Sequence, residues 1–187
     1  MRQARQNYHA KVASIPFERL TFVDESGVNV AMTRRYGRAP RGQRVSDCVP
    51  GDPGVNVTLI GALSLMGLKA LMTIPGATTG EVFRVYVEQV LGPTLRPGDV
   101  VVMDNLRAHK VAGIAEALAE RGAQVAYLPP YSPDLSPIEP CWSKLKTALR
   151  GAKARTSEAL NAALAEAWEV VTVSDARGWF THCGYPV

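Results

Sequence analysis

The chain has 187 residues, room for one domain with a sizeable core, and its 47% hydrophobic and 20% charged residues exclude a disordered or fibrous polymer. No apolar run approaches the length of a membrane span, and the basic N-terminus lacks the apolar centre of a secretory leader. Cys48, Cys141 and Cys183 are odd in number and far apart, as are His9, His109 and His182, which argues against a disulfide framework or a zinc motif and for a reducing cytoplasm.

In chain order, residues 1–19 are polar and read as an arm or linker. Residues 20–33, "LTFVDESGVNVAMT", are strand-like and carry Asp24. From Arg34 to Pro53 the chain is rich in Arg, Pro and Gly, the composition of a long loop or protruding hairpin. Two strands, "VNVTLIGALSL" and "LKALMTI", flank the turn at Met66–Gly67. Residues 79–95 have helical spacing behind a Thr79 cap. "GDVVVMDN" is a short apolar strand that ends in Asp104, as a buried central strand would. Residues 109–122 read as a helix with Val111, Ile114 and Leu118 on one face and Gly122 as its stop. The strand "AQVAYLP" follows, then a helix from about Pro137 to Arg150 and a last one from Ser157 to Val173, capped by Thr156. Short links make the first three strands antiparallel, and the later strand–helix–strand passage calls for a parallel crossover. The expected fold is α/β, a mixed sheet covered by helices.

The net charge is +4, a weak hint of a polyanionic partner, but its distribution says more. Arg34, Arg35, Arg38, Arg41 and Arg44 occur in "RRYGRAPRGQR" with no acid between them. "KLKTALRGAKAR", from Lys144 to Arg155, is a second acid-free cluster. Each alone reads as a solvated face; together they favour nucleic acid.

Three acids stand in distinctive settings. Asp104 closes an apolar strand, where a buried carboxylate needs a partner. It also fits a strand-end residue capping a turn, and Asp24 fits a simple turn with Glu25–Ser26–Gly27. Glu139 follows four closely spaced prolines and precedes a fifth, Pro140, in "YLPPYSPDLSPIEPCWSKLK". Pro129, Pro130, Pro133 and Pro137 stiffen the backbone, while Pro137 and Pro140 suit a first helical turn. The segment is a rigid brace that sets down a helix start. On that helix Ile138, Trp142, Leu145 and Leu149 form an apolar stripe. Glu139, Ser143, Lys146 and Arg150 lie one step round, a polar edge or a row pointing along a bound backbone.

Together "FVDESG", "VVMDNLRAHK" and the proline string resemble the catalytic domain of DDE transposases, in the bacterial insertion-sequence branch of the mariner superfamily, over about residues 20 to 150. Between Asp104 and Glu139 lie 34 residues, the spacing that family keeps. The resemblance implies a ribonuclease H-like fold with a five-stranded mixed sheet and helices on both faces, residues 151–187 packing on as a helical tail. It implies that Asp24, Asp104 and Glu139 are both catalytic and metal-binding, holding two Mg²⁺ ions with Mn²⁺ as substitute, Asp24 bridging the pair. It implies cleavage of element ends by water and attack of the freed 3′-hydroxyl on target DNA. Asn105 and His109 match the family string as supporting residues. The Arg34–Arg44 loop, Lys146 and Arg150 become DNA contacts, and a homodimer is expected on DNA.

Nineteen residues before the first strand are too few for the family's helix-turn-helix reader of terminal repeats. A truncated copy is one expectation; the other is a second reading frame completed by frameshifting or by a separate subunit. Three other readings stay open: a ribonuclease H-like nuclease that cuts without joining, a catalytically silent DNA-binding relic, and a nucleotide-binding α/β domain. The last lacks a G-x-G-x-x-G or P-loop string.

Overall fold

The computed structural model describes residues 2–187. Five strands, β1 (Leu20–Val28), β2 (Val57–Ser64), β3 (Gly67–Pro75), β4 (Val100–Met103) and β5 (Gln124–Tyr127), form one sheet in the order β3-β2-β1-β4-β5. β1, β2 and β3 pair antiparallel, β2 and β3 across the two-residue turn Leu65–Met66, which Gly67 (φ 108°) closes at the start of β3. β4 and β5 are parallel to β1, and Phe22 aligns with both Leu63 and Val102. The mixed sheet is the one expected.

The strand period of two divides the core. Leu20, Phe22 and Val28 of β1 pack on one face with Ile138, Trp142, Leu145, Leu160 and Phe180. Val23 packs on the other with Phe83, Tyr86, Ile114 and Leu118. The first face is covered by α1 (Arg2–Ala13), α4 (Ile138–Ala152), α5 (Ser157–Glu169) and α6 (Val173–His182). The second is covered by α2 (Gly80–Val85), the turns that continue it, and α3 (Ile114–Glu120). Among the described residues no helix is long and apolar enough to cross a membrane.

Several elements differ from the sequence reading. Residues 2–13, read as arm or linker, form α1, whose Tyr8 and Val12 are buried in the first core. So polar a helix is held by tertiary packing rather than by its own amphipathic face. β1 stops at Val28 instead of Thr33. The helix expected over 79–95 begins under its Thr79 cap, widens to a π-turn over Tyr86–Leu91 and tightens to a 3-10 turn over Gly92–Thr94. The i→i+5 turn brings Tyr86 and Leu91 to one side, and both are fully buried. The helix expected over 109–122 is split: Arg107–Lys110 is a 3-10 turn, and Gly113, at φ 94°, breaks the path before α3. Val111 is therefore exposed rather than in line with Ile114. The helix expected over 157–173 ends at Glu169, and α6, which the sequence reading did not place, starts under a reciprocal capping box of Thr172 and Asp175.

Candidate active site

Asp24 lies in β1, Asp104 one residue beyond the adjacent parallel strand β4, and Glu139 in the first turn of α4. Residues 24, 104 and 139 line a single cavity of about 500 Å³, walled by Leu128, Pro129 and Pro130. The proline segment is braced by distant side chains. The Arg5 guanidinium grips Asp134 and donates to Ser132 Oγ (3.0 Å). The Tyr185 hydroxyl donates to the Leu135 carbonyl (2.7 Å) and meets the Tyr8 hydroxyl at 2.8 Å. A 3-10 turn at Pro133–Leu135 then leads into α4, with Pro137 at its start.

Asp24 accepts a hydrogen bond from the Trp142 indole N–H (3.0 Å), so the buried stripe of α4 reaches the carboxylate. Burial, opposed by the Glu25 backbone N–H and reinforced by the charges of Glu139, Glu25 and Asp104, pushes the Asp24 carboxyl up to about 7. Asp104 accepts from the Leu106 N–H (2.9 Å), so it does cap the turn after β4. Partial burial pushes its carboxyl up, but His109, the Leu106 N–H and Lys110 outweigh that and hold it below the usual range. Glu139 is exposed at the cavity edge.

His109 is fully buried against the Phe83 ring, 4.2 Å between centroids. Its Nε2 is 3.1 Å from both carboxylate oxygens of Glu25, and its Nδ1 is 2.8 Å from Asp104 Oδ1. The Nδ1–H is not aimed in line at that oxygen, so this contact is an ion pair more than an aligned hydrogen bond. Burial opposes charge on the ring, but Asp104 and Glu25 overrule it and push His109 up to about 9. Asn105 does not orient Asp104: its amide donates to the Leu128 carbonyl and accepts from Lys110 Nζ (2.8 Å), tying β4 to β5. Sequence reasoning missed Glu25, although its place in the Val23 register of β1 puts it opposite Asp24. It also assigned Trp142 to the core alone.

The two basic clusters fare differently. Lys144 pairs with Asp175, Lys153 with Asp47, and Arg155 donates to the Val30 and Met32 carbonyls at 3.0 and 3.1 Å. Lys146 and Arg150 instead line an open hollow with Arg35, and Arg34 and Arg35 line a neighbouring one with Arg150. Burial lowers the Lys146 ammonium below its ordinary range, partly offset by Glu139 and Asp24. Four cations thus flank the acids along α4. Arg38, Arg41 and Arg44 are exposed farther out on the loop.

Oxygen donors of this kind suit a hard divalent cation, and the Asp24 carboxyl is raised first by burial and then by the neighbouring acids. As placed, no three His, Cys, Asp or Glu side chains among the described residues stand close enough to hold an ion. The three acids supply the donor chemistry such an ion takes, without being gathered about one point.

A family profile described as DDE superfamily endonuclease matches residues 19–161. The chain belongs to that family. This DDE endonuclease chain is 27% identical over 125 residues to a Caenorhabditis briggsae protein named Transposable element Tcb1 transposase, a match covering 65% of the chain and 46% of that relative. It therefore spans about half the length of the curated relative it matches. Among solved structures, the catalytic domain of Mos1 mariner transposase superposes with a TM-score of 0.69 at 14% identity, covering 98% of this chain and 86% of that one. The Mos1 strand transfer complex gives 0.70 at 15% identity, covering 97% and 56%. The mariner Mos1 paired end complex with Mg gives 0.68 at 17% identity, covering 100% and 60%. These likenesses establish the ribonuclease H-like fold expected above.

Proposed function

We propose that this chain is the catalytic domain of a DNA transposase that cuts element ends and joins them to target DNA. The observation that carries the reading is the meeting of Asp24, Asp104 and Glu139, from three separate elements, at one cavity flanked by unneutralised cations. Asp24, Asp104 and Glu139 would hold two Mg²⁺ ions, or Mn²⁺ in their place. When bound, such ions stabilise both the attacking and the leaving oxygen of an in-line displacement at phosphorus.

The chain's own residues do the rest. Trp142 fixes the Asp24 carboxylate from the core side. Asp24 gives up its proton near neutrality, and a bound cation would favour its charged form at lower pH. Lys146, Arg150, Arg34 and Arg35 hold the sugar-phosphate backbone beside the acids, giving affinity and salt dependence with little sequence reading. Arg38, Arg41 and Arg44 extend that contact along the loop. Asn105 keeps the β4–β5 edge of the cavity in register.

The glutamate as third acid and the 34-residue spacing support a bacterial insertion-sequence member acting in the nucleoid. Work on two DNA ends calls for a homodimer on DNA, and reading of the ends calls for a helix-turn-helix part, from a fused or a separate chain. The rival reading, a nuclease without joining, shares the same acids.

The test supplies a pre-cleaved, labelled element end with a 3′-hydroxyl, supercoiled target plasmid and Mg²⁺ or Mn²⁺. Joining by the wild type that falls at least ~10³-fold in Asp104→Ala and in Glu139→Ala is the expected result. Cutting without joining would establish the nuclease. No reaction even with the helix-turn-helix part added would leave a DNA-binding relic and overturn the proposal.

A further inference from the structure

Asp104 stands past the end of β4, with no ladder partner of its own and a side chain 42% exposed. Two groups restrain it, the Leu106 N–H and the buried ring of His109. The ring in turn is held by an acid that no resemblance assigned. Glu25 is next to Asp24, but the pleat turns it to the opposite face of the sheet, toward Phe83 and Tyr86. Its side chain is only 12% exposed, and both its oxygens sit 3.1 Å from His109 Nε2. A forked acceptor on Nε2, with Phe83 against the ring, fixes the ring plane and leaves Nδ1 facing Asp104.

We infer that Glu25 is a positioning residue of the site, setting the place of Asp104 through His109. The inference rests on the proposed metal-binding role of Asp104. Without Glu25, a buried imidazole has no partner behind it and is free to turn, and the carboxylate is left on the Leu106 tether alone. Outer partners of this kind orient ligands and ordinarily tune metal affinity without touching the metal. The arrangement is a carboxylate–histidine–carboxylate relay that crosses from the back of the sheet to its catalytic edge. It explains why a fully buried histidine should have acids at both nitrogens.

The readout is Mn²⁺ binding to the whole chain, followed by the electron paramagnetic resonance signal of free Mn²⁺, with circular dichroism as the check on folding. Glu25→Ala should weaken Mn²⁺ binding about tenfold. Glu25→Gln keeps an acceptor for Nε2 and should stay within about threefold of wild type. Glu25→Asp keeps the charge and the fold, yet its shorter arm falls away from Nε2, so it should resemble the alanine variant and serves if that variant does not fold. In a His109→Ala background, Glu25→Ala should add no further loss, since its effect passes through the ring. Folded Glu25→Ala or Glu25→Asp protein that binds Mn²⁺ as the wild type does would overturn the inference, as would equal, additive losses in the His109→Ala background. Wild-type protein that takes up no Mn²⁺ would overturn the three-acid reading itself, and this inference with it.

Discussion

Asp24 and Glu25 are neighbours in the chain, yet they face opposite sides of the sheet and meet opposite treatment. Glu25 is closed in by apolar side chains and answered by the His109 ring. Asp24 is also largely enclosed, but it receives only neutral donors, the Trp142 indole N–H and the Glu25 backbone N–H, and stands among other acids. A carboxylate that serves the fold is given its counter-charge by the protein. One that serves a ligand is left short of it, at a standing penalty to the unliganded state. Asp104 lies between the two cases, half-exposed and facing both the cavity and the histidine.

The contrast can be broken most sharply at His109. His109→Gln should lower stability at pH 7 by about 4 kcal/mol, because a buried acid loses its charged partner, and the melting temperature should fall by roughly 10 °C. The ring titrates near 9 in the folded chain against 6.5 in a free one. Its contribution is therefore complete below about pH 6.5 and lost as pH rises through 9. Thermal melts of the wild type across that window should slope downward, and those of the variant should be flat. A flat wild-type profile would mean that Glu25 is not answered by charge.

Asp24→Asn should act in the other direction. The folded carboxyl titrates near 7 instead of 3.8, so the folded state holds its proton more tightly than the unfolded one. The stability linked to that proton is present below about pH 4 and lost as pH rises through 7. Removing the charge should leave melting unchanged at pH 4 and, without divalent metal, raise stability at pH 8 by on the order of 3 kcal/mol, while cleavage is abolished. A variant less stable than wild type at pH 8 would place Asp24 with Glu25, as a structural acid.

The smallest effect tests the brace. Tyr185→Phe removes the hydroxyl that links Tyr8 to the Leu135 carbonyl, which should lower stability by about 1.5 kcal/mol. Catalysis should fall less than tenfold with DNA affinity intact, a pattern that filter binding and single-turnover cleavage would separate. Weakened DNA affinity would instead make this region part of the binding face.

The three acids were legible in the sequence because each sits at a marked place: an apolar strand's end, a proline-braced helix start, a strand followed by turn residues. The strand directions followed from the connections between strands. What the sequence hid was long-range. Nothing local in "RQARQNYHAKVA" says that Tyr8 meets Tyr185 or that Arg5 reaches Asp134. The π-turn at Tyr86–Leu91 was read with a period of 3.6, and it is burial of both its ends that selects the wider turn. Glu25 was the available clue that went unused: an acid in the register of Val23 is committed to an apolar layer and must find a partner there.

The hydrogen bond from Tyr185 to the Leu135 carbonyl also bears on the order of assembly. The sheet and α4 can form from what precedes residue 153, but the loop that sets down Glu139 is fastened by Tyr185, 50 residues beyond Leu135, itself touching Tyr8. During synthesis, N-terminal structure forms first and pairings of great sequence separation come last. A nascent chain thus has its aspartates in place well before its glutamate is secured. The cavity is therefore completed late, by its most distant fastening.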